Sequence, residues 1–369
     1  MKRNPAKNRD QQEIFPVPSL RVVEFQLLQK CNLSCIYCAY DQGHSITAEN
    51  LPLALIERTL LEDLSLKPPQ WVWFEGGEVT MDNRSRSLLL EALSIVKEAG
   101  VKSRINTNAQ KCKPSFSQQM ADLGLSFACV SCDSINPDLF CQMRGMSPQR
   151  NNTAFREFKH NVEGLVESGI TVDLEVTLTR LNIEELEAVY EFADSFGADN
   201  VMMGVQFLVA TSDQIFNLYP DFNALYVALK NLIRKARSGN TKIRICCCPL
   251  NPCHYPDLYK PNDKVVWVGC SCGHDYVHIH ATGDVFLCGF WDHSEPIGNL
   301  KNATLPQIWQ ESSLHKDSQI IVPEGCSGCQ FFNGELRCHN TCFSVVYRKT
   351  KDFSLDAYAY TRAMLKTVR

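Results

Sequence analysis

The stretch "RVVEFQLLQKCNLSCIYCAY", residues 21–40, decides how this chain folds. Its first eight residues form a short, largely apolar run of the kind that makes a buried strand, and three cysteines follow at once: Cys31, Cys35 and Cys38. Working outward, similar runs recur as "WVWFE" (71–75), "VKSRIN" (101–106), "SFACVS" (126–131), "TVDLEVTL" (171–178) and "NVMMGVQF" (200–207). The segments between them, such as "SRSLLLEALSIVKEAG" and "AFREFKHNVEGLVESG", carry apolar residues at i, i+3, i+4 spacing, and several stop at glycine. A further amphipathic segment, "FNALYVALKNLIRKARSG", follows the sixth run. Strand–helix alternation implies an α/β fold with a parallel sheet and right-handed crossovers. Six units fall short of a closed eight-unit barrel, so the expected architecture is an open, partial (β/α)6 barrel.

From about residue 240 the pattern changes. Cysteine, proline and histidine become frequent, helical periodicity fades, and turn signals such as "TGD" and "NG" appear. The expected division is an N-terminal segment (1–20), the partial barrel (21–240), a loop-rich metal-stapled module (241–345) and a C-terminal tail (346–369). There is no repeat of 20–50 residues and no low-complexity tract.

Composition narrows the class. Of 369 residues, 44% are hydrophobic and 21% charged, as in a soluble globular protein. The net charge of −4, with no dense basic run beyond "MKRNPAKNR", argues against nucleic acid as a partner. The opening residues lack the apolar core of a signal peptide, and no stretch reaches the roughly 18 apolar residues of a membrane span. A cytoplasmic protein with no membrane partner is expected. Against that background 18 cysteines are anomalous. In a reducing compartment, clustered cysteines bind metal or do redox work. Three lie at 31–38 and eleven between 246 and 342. Cys112, Cys129, Cys132 and Cys141 have no ligand-like spacing, and Cys129 and Cys132 read as small residues on or near a buried strand.

In a parallel α/β barrel, chemistry gathers at the C-terminal strand ends. Each of the six ends here carries polar or glycine signals: the three cysteines, then Gly76-Gly77-Glu78, then Thr107-Asn108, then Ser131 and Asp133 with Arg144-Gly145 beyond, then Thr177 and Thr179, then Gln206. Three thiolates suit a [4Fe-4S] cube with one iron left open, since such clusters ordinarily use four cysteines. A diglycine beside a carboxylate suits a backbone that must approach a ligand closely and receive an ammonium group.

Taken together, CxxxCxxC with Tyr37 before its last cysteine, GGE after strand two, S-x-D after strand four and the later arginine resemble the radical S-adenosylmethionine (radical SAM) superfamily. The resemblance implies that Cys31, Cys35 and Cys38 hold a [4Fe-4S] cluster whose open iron is chelated by SAM. It implies that Tyr37 lies against the adenine and that Gly76, Gly77 and Glu78 bind the SAM amino group. Ser131 and Asp133 would lie near the ribose, Arg144 would reach the carboxylate, and Asn108 joins the cofactor-binding set. Val79 stands where the family usually has proline, which relaxes a turn without removing a ligand.

Downstream, Cys272-x10-Gly283-x4-Cys288, then "IGNL", "LPQIW", and Cys326-x2-Cys329-x8-Cys338-x3-Cys342 resemble the SPASM extension, which carries one or two auxiliary [4Fe-4S] clusters. The resemblance implies that Cys326, Cys329 and Cys338 share one cluster. Cys342 would cross over to join Cys288 and one or two cysteines of the Cys270/Cys272 pair. The gap before Cys338 is longer than the family's, and no cysteine follows Cys342, so the first group is short of a thiolate. Cys246, Cys247, Cys248 or Cys253, or a non-cysteine ligand, or an open site for substrate, are the alternatives. Four thiolates at Cys326, Cys329, Cys338 and Cys342 also suit tetrahedral zinc. His274, His278 and His280 lie nearby, the last two spaced as one face of a strand.

The implied activity is reductive cleavage of SAM to a 5′-deoxyadenosyl radical that takes a substrate hydrogen, with electrons from an external flavodoxin- or ferredoxin-type donor. One reading of the substrate is a peptide, modified by crosslinking, epimerisation or oxidation. The other is a small molecule (a sugar, aminocyclitol or amino acid) that is dehydrogenated or rearranged. The short segment before strand one leaves a leader peptide to a separate leader-binding protein or to the barrel mouth. A non-catalytic iron–sulfur electron carrier is the alternative from another class, and the GGE and arginine motifs speak against it. Asp133, Cys132 and Cys141 are the candidate catalytic groups near the mouth.

Overall fold

A computed structural model describes residues 17–39, 50–197, 199–209, 212–246, 248–291, 293–320, 322–323, 325–332, 338, 342–352, 354–356, 359 and 363. Cys247 and the first 16 residues lie outside the described residues.

Six parallel strands run in chain order: β1 (Val22–Leu28), β2 (Trp71–Gly76), β3 (Lys102–Thr107), β4 (Leu125–Ser131), β5 (Thr171–Leu178) and β6 (Val201–Phe207). They match the expected runs because a parallel sheet buries both faces, which writes each strand as an apolar stretch. Helices cross between them: α1 (Leu53–Glu57, continued by a wider turn over Arg58–Asp63), α2 (Asn83–Glu98), α3 (Pro114–Asp122), α4 (Pro137–Met143), α5 (Asn151–Glu167) and α6 (Leu186–Asp194). The short α7 (Asp213–Phe216) and the long α8 (Phe222–Ser238) follow β6. Local chemistry starts these helices. The Asp82 carboxylate accepts from Ser85 N at 2.8 Å ahead of α2, and Asn136 accepts from Asp138 N at 2.9 Å ahead of α4, where Pro137 fits the first helical position.

The strands alternate in what they present. Val23, Phe25 and Leu27 of β1, Val72 and Phe74 of β2, and Val172, Leu174 and Val176 of β5 join the apolar core. Phe25 and Phe74 stack with centroids 6.1 Å apart. The intervening positions, Glu24, Glu75, Arg104, Asn106, Glu175 and Arg244 among them, line a cavity of about 200 Å³ on the other face.

The sheet does not stop at six strands, and it does not close. β7 (Lys242–Cys246) and β8 (Val265–Val268) continue it in parallel beyond β6. At the opposite edge β9 (Tyr276–Ile279) pairs in parallel with β1, followed by antiparallel β10 (Asp284–Phe286) and β11 (Gly298–Asn299). The order is β11-β10-β9-β1-β2-β3-β4-β5-β6-β7-β8. The cysteine-rich stretch thus adds strands to both edges of the six-stranded core. Helices α9 (Leu305–Glu311), α10 (Ser313–Ile320) and α11 (Phe343–Thr350) complete it. No described helix is long and apolar enough to cross a membrane.

The β1–β9 seam is polar where it meets the cysteine loop. His280 lies one residue beyond β9 and its ring contacts the Gln29 amide at 2.7 Å, while Thr282 N donates to its Nδ1 at 3.2 Å. Burial, with His293 and His278 beside it, pushes His280 down to about 4 from its ordinary 6.5. The folded ring therefore stays neutral at pH values where the unfolded chain takes up a proton. Stability is full above pH 6.5 and falls as the pH drops toward about 4. Urea titrations at pH 7 and pH 5 should show this loss, on the order of 2 kcal/mol, and His280→Gln should flatten the slope.

Candidate functional site

The three-cysteine loop leaves β1 through a register shift between Gln26 and Leu28 and is held by its backbone. Gly77 N donates to Leu28 O and Glu78 N to Lys30 O, each at 2.9 Å. This contact explains the diglycine. A Cβ on Gly77 would lie 1.9 Å from the Lys30 carbonyl oxygen, and one on Gly76 2.1 Å from that of Leu28. On the other flank, Ser34 N donates to Arg144 O at 3.3 Å and Ile36 N to Met143 O at 3.0 Å, so the loop lies on the C-terminal end of α4. Gly145 permits this approach with a φ of +62°, and a Cβ there would come within 2.3 Å of Ser34 O. Inside the loop, Cys38 N donates to Cys35 O at 3.1 Å.

The polar residues at the strand ends form one connected set. Glu78 is buried, and its carboxylate accepts from Thr80 N (3.0 Å), Thr80 Oγ1 (2.6 Å), Thr107 Oγ1 (2.6 Å) and Asn108 N (2.6 Å). Asn108 is the crossing point. Its side chain donates to Asn32 Oδ1 at 3.0 Å and approaches Cys31 Sγ at 3.9 Å, and its carbonyl accepts from Arg144 Nη1 at 2.9 Å. The buried Arg144 guanidinium also donates to Ser131 O and lies 4.0 Å from the centroid of the Phe140 ring, while its buried Nε has no hydrogen-bond partner. Tyr37 OH donates to Asp133 Oδ2, and Thr177 N donates to Asp133 Oδ1 at 2.9 Å. Burial pushes the Asp133 carboxyl up, against the pull of Arg144, Tyr37 and Thr177. Tyr37 is raised by burial and by the adjoining Asp133.

The three thiols fit an iron–sulfur cube. They come from one loop, none is in a disulfide, and burial with nearby carboxylates raises Cys31 to about 11 and Cys35 to about 12, the latter against the pull of Arg144. Iron supplies the further positive charge that turns such thiols into thiolates. Gln206 lines the cavity, and Thr179 Oγ1 donates to Asn182 Oδ1 at 3.0 Å.

Cys132 and Cys141 are fully buried in the apolar core, and burial pushes the Cys132 thiol up to about 12. Cys112 is buried likewise. Cys129 is buried too, but on the charged face, where Arg104, Arg244, Asp173 and Glu175 surround it.

That charged face was not singled out in the sequence. Arg244 pairs with Asp173 and Glu175 at 2.5 Å, and Arg104 reaches Glu175 at 4.0 Å. Gly204 leaves room for the pair, since a Cβ there would meet Asp173 Oδ1 at 2.6 Å. Glu24 accepts from Tyr276 OH, and His278 Nδ1 lies 3.0 Å from Glu24 and 3.4 Å from Glu75. The available signal was a charged or amide side chain at every second position of otherwise apolar strands: "VVEFQ", "SRIN", "VDLEV" and "KIRIC". His278 therefore sits on the strand face and hydrogen-bonds a carboxylate. Cys270, Cys272, Cys288 and Cys342 line the same cavity, which sets four of the C-terminal cysteines beside these charges.

Residues 25–193 match the model of the Radical SAM superfamily, and residues 270–330 match SPASM, an iron–sulfur cluster-binding domain. An AdoMet-dependent heme synthase of Methanosarcina barkeri is 23% identical over 90% of this chain and 94% of its own. Mycofactocin maturase MftC of Mycolicibacterium smegmatis is 22% identical over 88% of this chain and 78% of its own. In fold, SuiB of Streptococcus suis bound to precursor peptide SuiA superposes with a TM-score of 0.69 at 20% identity, over 93% of this chain and 76% of that one. The enzyme anSMEcpe with bound AdoMet superposes at 0.67 and 14% identity, over 94% and 96%.

Replacing Gly77 by alanine should displace the loop at Lys30. Anaerobic reconstitution of Gly77→Ala is expected to lose about four irons per chain, and full iron incorporation would refute the packing role given to the diglycine.

Proposed function

We propose that this chain, a radical SAM enzyme with a SPASM iron–sulfur domain, modifies an amino-acid side chain of a peptide substrate. Its cofactors are SAM, the [4Fe-4S] cluster that binds it, and auxiliary iron–sulfur clusters. When bound, they supply reductive cleavage of SAM to a 5′-deoxyadenosyl radical that takes a hydrogen atom from the substrate.

In this reading Cys31, Cys35 and Cys38 hold the first cluster, and the chain's contribution is to fix their loop. Asn108 holds Asn32, Gly77 and Gly145 admit the loop to its two neighbours, and Tyr37, bonded to Asp133, orients its last turn. The Glu78 carboxylate already accepts four hydrogen bonds, about its full capacity, so it braces the Thr107–Asn108 corner. An incoming ammonium group would be met by the backbone around it. Arg144 keeps its buried Nε for an anionic partner, with Ser131 and Asp133 beside it. Residues 21–240 would serve SAM, and 241–345 the auxiliary clusters.

The observation that carries the substrate class is the likeness to a mycofactocin maturase and to SuiB solved with its precursor peptide. The cavity of about 200 Å³ is lined by Cys270, Cys272, Cys288 and Cys342, so an auxiliary cluster held by these thiols would share it with whatever substrate group approaches the charged wall. The charges on the wall, held in pairs, can orient a polar substrate group without moving. An external one-electron donor and, for a leader peptide, a separate leader-binding protein complete the proposal.

The test is anaerobic. Reconstituted, reduced protein should convert SAM to 5′-deoxyadenosine, and Cys35→Ala should abolish conversion, a drop of more than about 100-fold. With a precursor peptide encoded beside the gene, a mass change confined to one residue is expected. Turnover of a free amino acid or sugar with no peptide turnover would replace the peptide reading.

A further inference from the structure

The C-terminal cysteines separate into two groups. Cys272 neighbours both Cys270 and Cys288, and Cys342 lines the same cavity as these three. That makes one complete set of four. The other group starts at a tight turn in which Cys329 N donates to Cys326 O at 3.1 Å and Phe332 N to Cys329 O at 3.2 Å. A bridge between Phe332 and Cys338 returns the third cysteine to this turn. This group has three thiols where a cube ordinarily takes four.

The segment after β7 is packed against that turn. Tyr259 stacks on Trp267 of β8 with centroids 4.0 Å apart, donates to Leu250 O at 2.8 Å, and is buried against Cys248, Cys253 and Cys338. Tyr255 packs on Tyr226 of α8 with centroids 5.6 Å apart. Between these anchors Cys253 lies in a turn closed by His254 N and Tyr255 N, which both donate to Asn251 O at 3.0 Å. Its side chain is exposed, and it lies close enough to Cys326 and Cys329 to influence both electrostatically.

The other described cysteines of the segment are placed differently. Cys246 contacts the Arg244 guanidinium and lines the barrel cavity. Cys248 is half-buried, directs its thiol to Leu250 O at 4.0 Å, and neighbours Cys338.

We propose that Cys253 completes a second auxiliary cluster site with Cys326, Cys329 and Cys338. The ligand comes from upstream of the matched iron–sulfur domain and supplies the fourth thiolate of the site. The site then has a full set of protein ligands, so its cluster is structural or electron-transferring and does not bind substrate through an open iron. The inference concerns this chain's ligands alone and holds whether the substrate is a peptide or a small molecule.

The test compares full-length Cys253→Ala, Cys248→Ala and Cys247→Ala after anaerobic reconstitution, reading iron and sulfide per chain and the EPR and Mössbauer spectra. Cys253→Ala is expected to lose about four irons, or to show a three-iron signal, while the other two variants keep the parent's iron. If Cys253→Ala retains full iron and an all-cubane spectrum, or if Cys248→Ala or Cys247→Ala alone loses that cluster, the proposal is overturned. Cys253→Ser guards against misfolding: it should retain a cluster with an altered EPR signature, and an unaltered signature counts against the proposal. The spectral change of the first cluster on adding SAM reports separately on an intact barrel and on the radical SAM reading.

Discussion

The main chain and side chain of Asn108 hold the ends of three strands in one place. Its N–H is committed to Glu78 beyond β2, its carbonyl to Arg144 beyond β4, and its amide to Asn32 in the loop beyond β1. The contacts to Glu78 and Arg144 are buried, and an unmade hydrogen bond at either would carry a desolvation cost of about 1–3 kcal/mol or more, while the contact to Asn32 is only part-buried. The loop that bears the three thiols cannot drift without breaking that chain. The glycines at 76, 77 and 145 are the steric half of the same constraint, since they let three backbones approach to distances that a methyl group would forbid.

Much of this was legible in the sequence because it is local. "RVVEFQLL" became Val22–Leu28 and "TVDLEVTL" became Thr171–Leu178, since strands buried on both faces are written as apolar runs. The strand-end residues could be placed at one mouth from topology alone. The seven-residue helix α4 was missed, being too short to show periodicity. So were β7 to β11, two to five residues long and set among cysteines and turns, whose pairing partners are remote in sequence. The direction in which the diglycine faces was also hidden. Its motif suggested room for a ligand, whereas the contact it permits is with the Lys30 carbonyl.

The charged barrel face shows a different limit. Buried ions cost more than they return unless their partners are well placed. Glu24, Asp173, Glu175, Arg104 and Arg244 were visible as letters, but Arg244 pairs with Asp173 across 71 residues and Glu24 meets His278 across 254, and no pattern along the chain reveals it. The result is a rigid, polar wall directly beside the cysteines of the C-terminal domain. In the proposed reading, an auxiliary cluster and the substrate would meet beside this wall.

The seam between β1 and β9 has a consequence for how the protein is made. Glu24 and His278 face each other across 254 residues of chain, so β1, the first described strand, is an edge strand until the last quarter of the polypeptide leaves the ribosome. Long-range pairing of this kind slows folding, and an exposed apolar edge invites pairing with other chains. A shortened version ending near residue 240 would retain all six strands of the core yet expose that edge permanently. Aggregation during synthesis, before any iron is inserted, is the hazard that this topology builds in.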